Sequence, residues 1–121
     1  MNVLLVMPGE RPKEIEIDAS LESMQNIVGG LIQAIYPFDD PVALICNDEG
    51  KLIGLEPNRA LRDPETGEVY DLICGPFFLC GVNGEDFSSL SDALTSKYFE
   101  QFRRPEVFLH ISNRILAITI R

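Results

Sequence analysis

Hydrophobic and polar positions change period several times along the chain, and each change marks an element. Asn2 to Met7 is a nearly unbroken apolar run that predicts a first strand, and Glu14-Ile15-Glu16-Ile17 alternates as a half-buried second strand does. Pro8-Gly9-Glu10-Arg11-Pro12 between them is turn chemistry, so a hairpin is expected. Leu21, Met24, Ile27, Val28 and Leu31 then recur at helical spacing, with Asp18 or Ser20 as the cap. Gly29-Gly30 ends that helix, because glycine enters the left-handed region at no cost to a Cβ.

Leu31 to Tyr36 and Val42 to Cys46 read as strands, and Asn47-Asp48-Glu49-Gly50 as a turn returning the chain through Lys51 to Gly54 in a second hairpin. Pro57 to Arg62 is less regular, and Asp63-Pro64-Glu65-Thr66-Gly67 is a turn. Val69 to Cys74 and Phe77 to Val82 look like two strands, broken or bulged at Gly75-Pro76. From Ser88 to Phe102 the period becomes helical, with Leu90, Leu94, Tyr98 and Phe102 on one face and Ala93 and Phe99 beside it. Arg103-Arg104-Pro105 stops that helix. Glu106 to Ile111 and Arg114 to Ile120 form a last hairpin around Ser112-Asn113. The expectation is a single α+β domain, mostly antiparallel sheet with two amphipathic helices.

Composition narrows the class. The 121 residues are 45% hydrophobic and 24% charged, with a net charge of −9. That is the balance of a folded domain with a core of its own. With no basic stripe to release counterions, direct nucleic-acid binding is not expected; an acidic surface that imitates DNA remains open. The apolar runs are strand-sized and Met1 to Met7 lacks a basic flank, so a cytoplasmic protein without membrane attachment is expected. Cys46, Cys74 and Cys80 lie in apolar runs too far apart for a metal clamp and read as reduced, buried thiols.

Catalytic chemistry finds little support. His110 is the one histidine, in the apolar run Val107 to Ile111, where a partly exposed strand residue is the simpler reading than a general base. One histidine and dispersed cysteines make no usual metal set, and Gly29-Gly30 closes a helix rather than opening one on a phosphate. No cofactor and no catalytic residue are expected.

Tyr36-Pro37-Phe38-Asp39-Asp40-Pro41 is the unusual segment: two rings and two carboxylates on a backbone stiffened by two prolines. Tyr36 and Phe38 are expected to differ in burial, one anchoring the loop and the other lining a cleft. With Asn58, Arg59 and Arg62 the loop allows two readings. In the first, a ring stacks on a base, Asp39 or Asp40 holds ribose hydroxyls and Arg59 or Arg62 meets a phosphate. In the second, Asn58 makes an Asx turn and Arg59 pairs with Asp39 or Asp40 as a scaffold lock.

Ile27-Val28-Gly29-Gly30, Tyr36 to Pro41, Cys46 to Leu52, Pro57-Asn58-Arg59-Ala60-Leu61 and Asp71 to Phe78 resemble a family of small uncharacterised bacterial proteins. The likeness runs from about Ser20 to Val107 and includes Glu85-Asp86-Phe87. Members occur in phages and mobile elements as well as chromosomes, and the resemblance implies a setting in which small acidic proteins often antagonise host defence. The leading expectation is therefore a non-catalytic protein that sequesters a small nucleotide-derived immune signal, as a homo-oligomer whose pocket is completed between subunits. The alternative is an acidic protein-interaction inhibitor or DNA mimic that blocks a defence enzyme. A third reading, cleavage of such a signal, would rest on Asp39, Asp40 and Glu68.

Overall fold

A computed structural model describes residues 1–111 and 114–119, the side chains of His110 and Ile111 excepted. In chain order the elements are β1 (Asn2–Val6), β2 (Lys13–Glu16), α1 (Leu21–Val28), β3 (Ile32–Ile35), β4 (Val42–Asn47), β5 (Pro57–Arg62), β6 (Val69–Cys74), β7 (Phe77–Asn83), β8 (Asp86–Ser88), α2 (Asp92–Phe102), β9 (Glu106–Ile111) and β10 (Arg114–Thr119). This is an α+β fold in which every strand pair is antiparallel among the described residues.

The main sheet runs β2-β1-β7-β4-β3, with β8 added to the far end of β7 where β1 leaves off. Leu4 and Leu44 both register against Leu79, which fixes the centre of the sheet. Phe77-Phe78-Leu79-Cys80 is fully buried because β7 is covered on both faces, and such a strand needs apolar side chains at successive positions. Leu4, Val6, Leu44, Phe77 and Leu79 face one core with Leu61 and Ile73 of the β5–β6 pair and Tyr98 and Phe102 of α2. Val3, Leu5, Ala43, Ile45, Phe78 and Cys80 face the other, under Met24 and Val28 of α1.

Ser20 caps α1 by accepting from the Ser23 N–H at 3.2 Å, and Gly29 ends it at φ +79° with its own N–H on Gln25 O. Leu31, expected on that helix face, lies past its end and is exposed. Ser91 caps α2 through the Leu94 N–H, so the helix begins at Asp92, four residues after the expected Ser88, because Asp86–Ser88 pairs with β7 as β8.

One further expectation needs correction. Lys51 to Gly54 is a set of turns rather than a returning strand: β4 already has β3 and β7 as neighbours, so no edge is open to it. The chain instead folds back on itself through Ile53 N to Glu49 O at 3.0 Å and Leu55 N to Gly50 O at 2.9 Å. Pro57–Arg62, expected to be less regular, is a largely buried strand paired with β6 in a sheet of its own, with register shifts between Pro57 and Arg59 and between Leu61 and Arg62. β6 and β7 are two strands, as expected, and the break falls at Gly75, where the chain passes from the small sheet to the large one; its φ of +84° would strain a side chain, and a Cβ there would stand 2.6 Å from Leu55. The last hairpin is present from Glu106↔Thr119 to Ile111↔Arg114; the proposed turn at Ser112-Asn113 lies outside the described residues, as does the side chain of His110.

Candidate functional site

Proline-bounded loops need an anchor, and the Tyr36–Pro41 segment takes its anchor from α2. Asp40 accepts from the Tyr98 hydroxyl at 2.7 Å and from Lys97 Nζ at 2.6 Å, while the Phe38 ring lies 4.5 Å from that of Tyr98 and 6.1 Å from that of Phe102. The hydrogen bonds from Lys97 and then Tyr98 hold the Asp40 carboxyl below its ordinary value. Burial first, and the Asp40 carboxylate second, push the Tyr98 hydroxyl well up. Tyr36 and Phe38 do differ in burial: Phe38 packs on the core, and Tyr36 is 61% exposed. Asp39 is exposed beside it.

Asn58 and Arg59 go inward instead. The Asn58 amide donates to Val6 O and to Gly75 O, both at 2.9 Å, from within β5 rather than from an Asx turn. Arg59 is only 1% exposed. Its Nε and Nη2 donate to Phe102 O at 3.2 and 3.0 Å, Nη2 also to Glu10 O at 2.5 Å, and Nη1 to Asn58 Oδ1 at 2.9 Å. A guanidinium here satisfies the C-terminal carbonyl of α2, where a cation is also favoured by the helix dipole. Burial lowers the Arg59 pKa, and the charge of Glu106 opposes that shift. The pair is thus a lock, made with carbonyl oxygens and not with Asp39 or Asp40. Arg62 bonds Glu106 Oε1 at 2.5 Å, and Glu106 Oε2 accepts from Ala60 N at 2.8 Å, which fastens β9 to β5.

Seven residues expected in one pocket are therefore divided among four places. Phe38 and Asp40 fasten the loop to α2, Asn58 and Arg59 tie the core, and Arg62 holds the last hairpin; Tyr36 and Asp39 face solvent. Asp40 is engaged on α2 while Glu68 is in the β5–β6 turn, on a different element.

A concavity opens elsewhere, between the β3–β4 pair and β6. It has a volume of about 310 Å³ and is bounded by Gln33, Ile35, Cys46, Lys51, Asp71 and Cys74 among others. Lys51 and Asp71 form an ion pair across it, and the Cys46 thiol lies 4.0 Å from Gln33 Oε1. Asp71 also accepts from its neighbour Leu72 N at 2.8 Å, which fixes its rotamer. Burial pushes the Cys46 thiol up to about 11, helped by the charges of Asp71 and Asp48, and raises Cys74 as well. All three cysteines are free; Cys46 and Cys80 are buried and Cys74 half-buried. Apolar walls with a few polar groups at the mouth are what a small-ligand site requires. Sequence reasoning passes over this cleft because Lys51 to Gly54 reads as a strand, which would carry Lys51 away from Asp71. Among the described residues no group of three or more His, Cys, Asp or Glu side chains could hold a metal ion, and no helix is long and apolar enough to cross a membrane.

The model of a domain of unknown function, DUF3846, matches residues 1–103. The chain belongs to the DUF3846 family. No curated protein and no solved structure matches it. The DUF3846 match takes in both cores, the Arg59 lock and the cleft, and ends just after α2, so β9 and β10 lie beyond it.

Proposed function

We propose that this protein is a non-catalytic binding protein whose ligand seat is the cleft between β4 and β6, and that it acts by holding a small molecule rather than converting it. The observation that carries this reading is the cleft itself, with Ile35, Cys46 and Ile73 as walls and Gln33 and the Lys51–Asp71 pair at the mouth. Thiols held in the protonated form favour a wall over a nucleophile. Asp48, Glu49 and Asp71 stand there against Lys51, so the rim is acidic. A ring with hydrogen-bonding edges and little negative charge suits it, as in the nucleoside part of a nucleotide-derived signal; a run of phosphates does not. The likeness to proteins of phages and mobile elements supplies the setting in which such sequestration counters a host defence.

Native mass spectrometry of protein taken directly from the producing cells tests the reading. A small molecule should travel with the wild-type chain and be lost from Lys51→Ala and Gln33→Ala, whose side chains are exposed enough to leave folding intact. Retention that survives both substitutions, or no bound molecule together with no nucleoside binding by titration, would remove the cleft from consideration.

A second reading, an acidic surface that blocks a basic partner, draws support from the charge distribution. Residues 1–96 hold 5 Lys or Arg and 17 Asp or Glu, a net −12, whereas residues 97–121 hold 5 and 2, a net +3. Glu14, Asp92 and Glu100 also converge on a concavity of about 490 Å³ between β2 and α2. Binding to a basic protein that is weakened by salt and by Glu14→Gln, with the cleft variants neutral, would move the function to this face.

A further inference from the structure

Guanidinium groups from two parts of the chain border one concavity: Arg62 reaches it from β5, and Arg103 and Arg104 from the end of α2. Its volume is about 250 Å³ and its wall is almost wholly polar, so it suits a hydrophilic group rather than a ring. Of the carboxylates beside it, Glu106 is already committed, because its two oxygens accept from Ala60 N and from Arg62 and its side chain is 6% exposed. Glu100 is 67% exposed and lies 3.7 Å from Arg103, a surface contact that water screens. Arg104 forms no ion pair among the described residues. Arg62 is held by Glu106 Oε1 at 2.5 Å and by Ala117 O at 3.4 Å, which leaves further N–H donors of its fork unengaged. The last carbonyl of α2 does not call for these cations either, since Phe102 O already accepts from Arg59 Nε and Nη2.

We propose that this concavity is an oxyanion site that takes a phosphate group, either free or as the monoester of a small polar alcohol. A guanidinium fork matches phosphate oxygens pairwise, and a phosphate brings about two negative charges at pH 7, which several cations around one group can balance. A carboxylate brings less charge and fewer acceptors. Thr119, opposite Glu106 in the hairpin register, and the Gln101 carboxamide add neutral donors to the wall. The surrounding segment favours the same ligand, because residues 97–121 carry a net +3 in a chain that is acidic elsewhere. An oxyanion held here bridges α2, β5 and β10, extending the attachment of the last hairpin that the Arg62–Glu106 pair begins. The site shares no wall residue with the cleft between β4 and β6, so the two readings stand or fall separately.

Isothermal titration of the full chain at constant ionic strength tests the site, with inorganic phosphate, glycerol phosphate and acetate as probes. The expected result is saturable binding of a phosphate probe, tighter than that of acetate. Arg104→Ala, at an exposed position, should weaken it about tenfold or more with the circular dichroism spectrum unchanged. Arg104→Lys should restore only part of the loss, because an ammonium lacks the planar fork. Arg103→Ala is the second variant and should act in the same direction. Arg114→Ala, at the far end of the hairpin, is the control and should leave binding unchanged. Tighter binding of glycerol phosphate assigns the site to a monoester and tighter binding of free phosphate to the inorganic ion, and either upholds it. No saturable phosphate binding, acetate bound as tightly, or an affinity indifferent to both Arg103→Ala and Arg104→Ala overturns the proposal. So does an equal loss in Arg114→Ala, which would reduce the effect to net charge.

Discussion

The hydroxyl of Tyr98 donates to Asp40 at 2.7 Å, and this bond joins the β3–β4 loop to the middle of α2. Its strength depends on the carboxylate being charged, which Lys97 promotes. Because the folded Asp40 pKa lies below the ordinary 3.8, the stabilisation is present above that value and is lost as the pH falls through the lower folded one. Tyr98→Phe should lower the melting temperature by a few degrees at neutral pH and by progressively less as Asp40 is protonated. Asp40→Asn should flatten the acid limb of the stability profile. Thermal unfolding across the acid range checks both, and a Tyr98→Phe deficit that does not shrink with acidity would contradict the linkage.

Arg59 is the residue on which the core polar network turns. Its removal would leave Phe102 O, Glu10 O and Asn58 Oδ1 without their donor, the bonds to Phe102 and Asn58 lying fully buried. Arg59→Ala should therefore cost about 3 kcal/mol or more in urea unfolding, and Arg59→Lys nearly as much because an ammonium cannot span three separated acceptors. Any ligand affinity measured below the melting transition should be unchanged. A stable Arg59→Ala protein would show that the network contributes far less than its geometry implies.

How far the chain declares this arrangement depends on the element. β7 is legible because four consecutive apolar residues need cover on both faces, and α1 is legible because Ser20 and Gly29 mark its ends. β5 is hidden, since Asn58 and Arg59 break the apolar pattern and only tertiary carbonyls make their burial tolerable. The chemistry of the Tyr36–Pro41 loop is legible as residue types but not as direction: prolines fix its backbone, while the partner for Asp40 is chosen by how α2 docks. A buried tyrosine's need for a hydrogen-bond partner is the one local signal pointing to Tyr98. The cleft depends on turns at Lys51 to Gly54 that are decided by β4 having no free edge, and such occupancy is not written in any local window.

Thiol reactivity should follow burial. Cys46 and Cys80 are pushed up to about 11 and about 12, and Cys74 is half-buried with a smaller rise. Near neutral pH, alkylation of the native protein should modify Cys74 first and leave Cys80 untouched until unfolding, as read by peptide mass spectrometry. The same shifts predict an alkaline limb: above the ordinary 9.0 the unfolded chain releases thiol protons that the folded chain retains, so stability falls as the pH rises. Rapid native labelling of Cys80 would contradict its placement.

Gly50 gives a direct handle on the cleft, because the loop that bounds it packs against β6 without room for a side chain. A Cβ at this position would stand 2.7 Å from Cys74 O, a backbone atom that cannot rotate away, and 3.6 Å from Asn47 O. Gly50→Ala must therefore push the loop away from β6, and Lys51 with it, separating the Lys51–Asp71 pair. The expected cost is about 1–3 kcal/mol of stability, in the range of overpacking at a closely packed site. Ligand retention should fall much further than stability does, because the mouth of the cleft is rebuilt while both sheet cores remain. Gly54→Ala is the control: its added Cβ meets nothing within 4 Å, though the φ of +74° carries strain of its own, so stability drops with the cleft wall in place. Equal loss of binding in the two variants at matched stability would mean that the loop, and not the cleft it bounds, governs recognition.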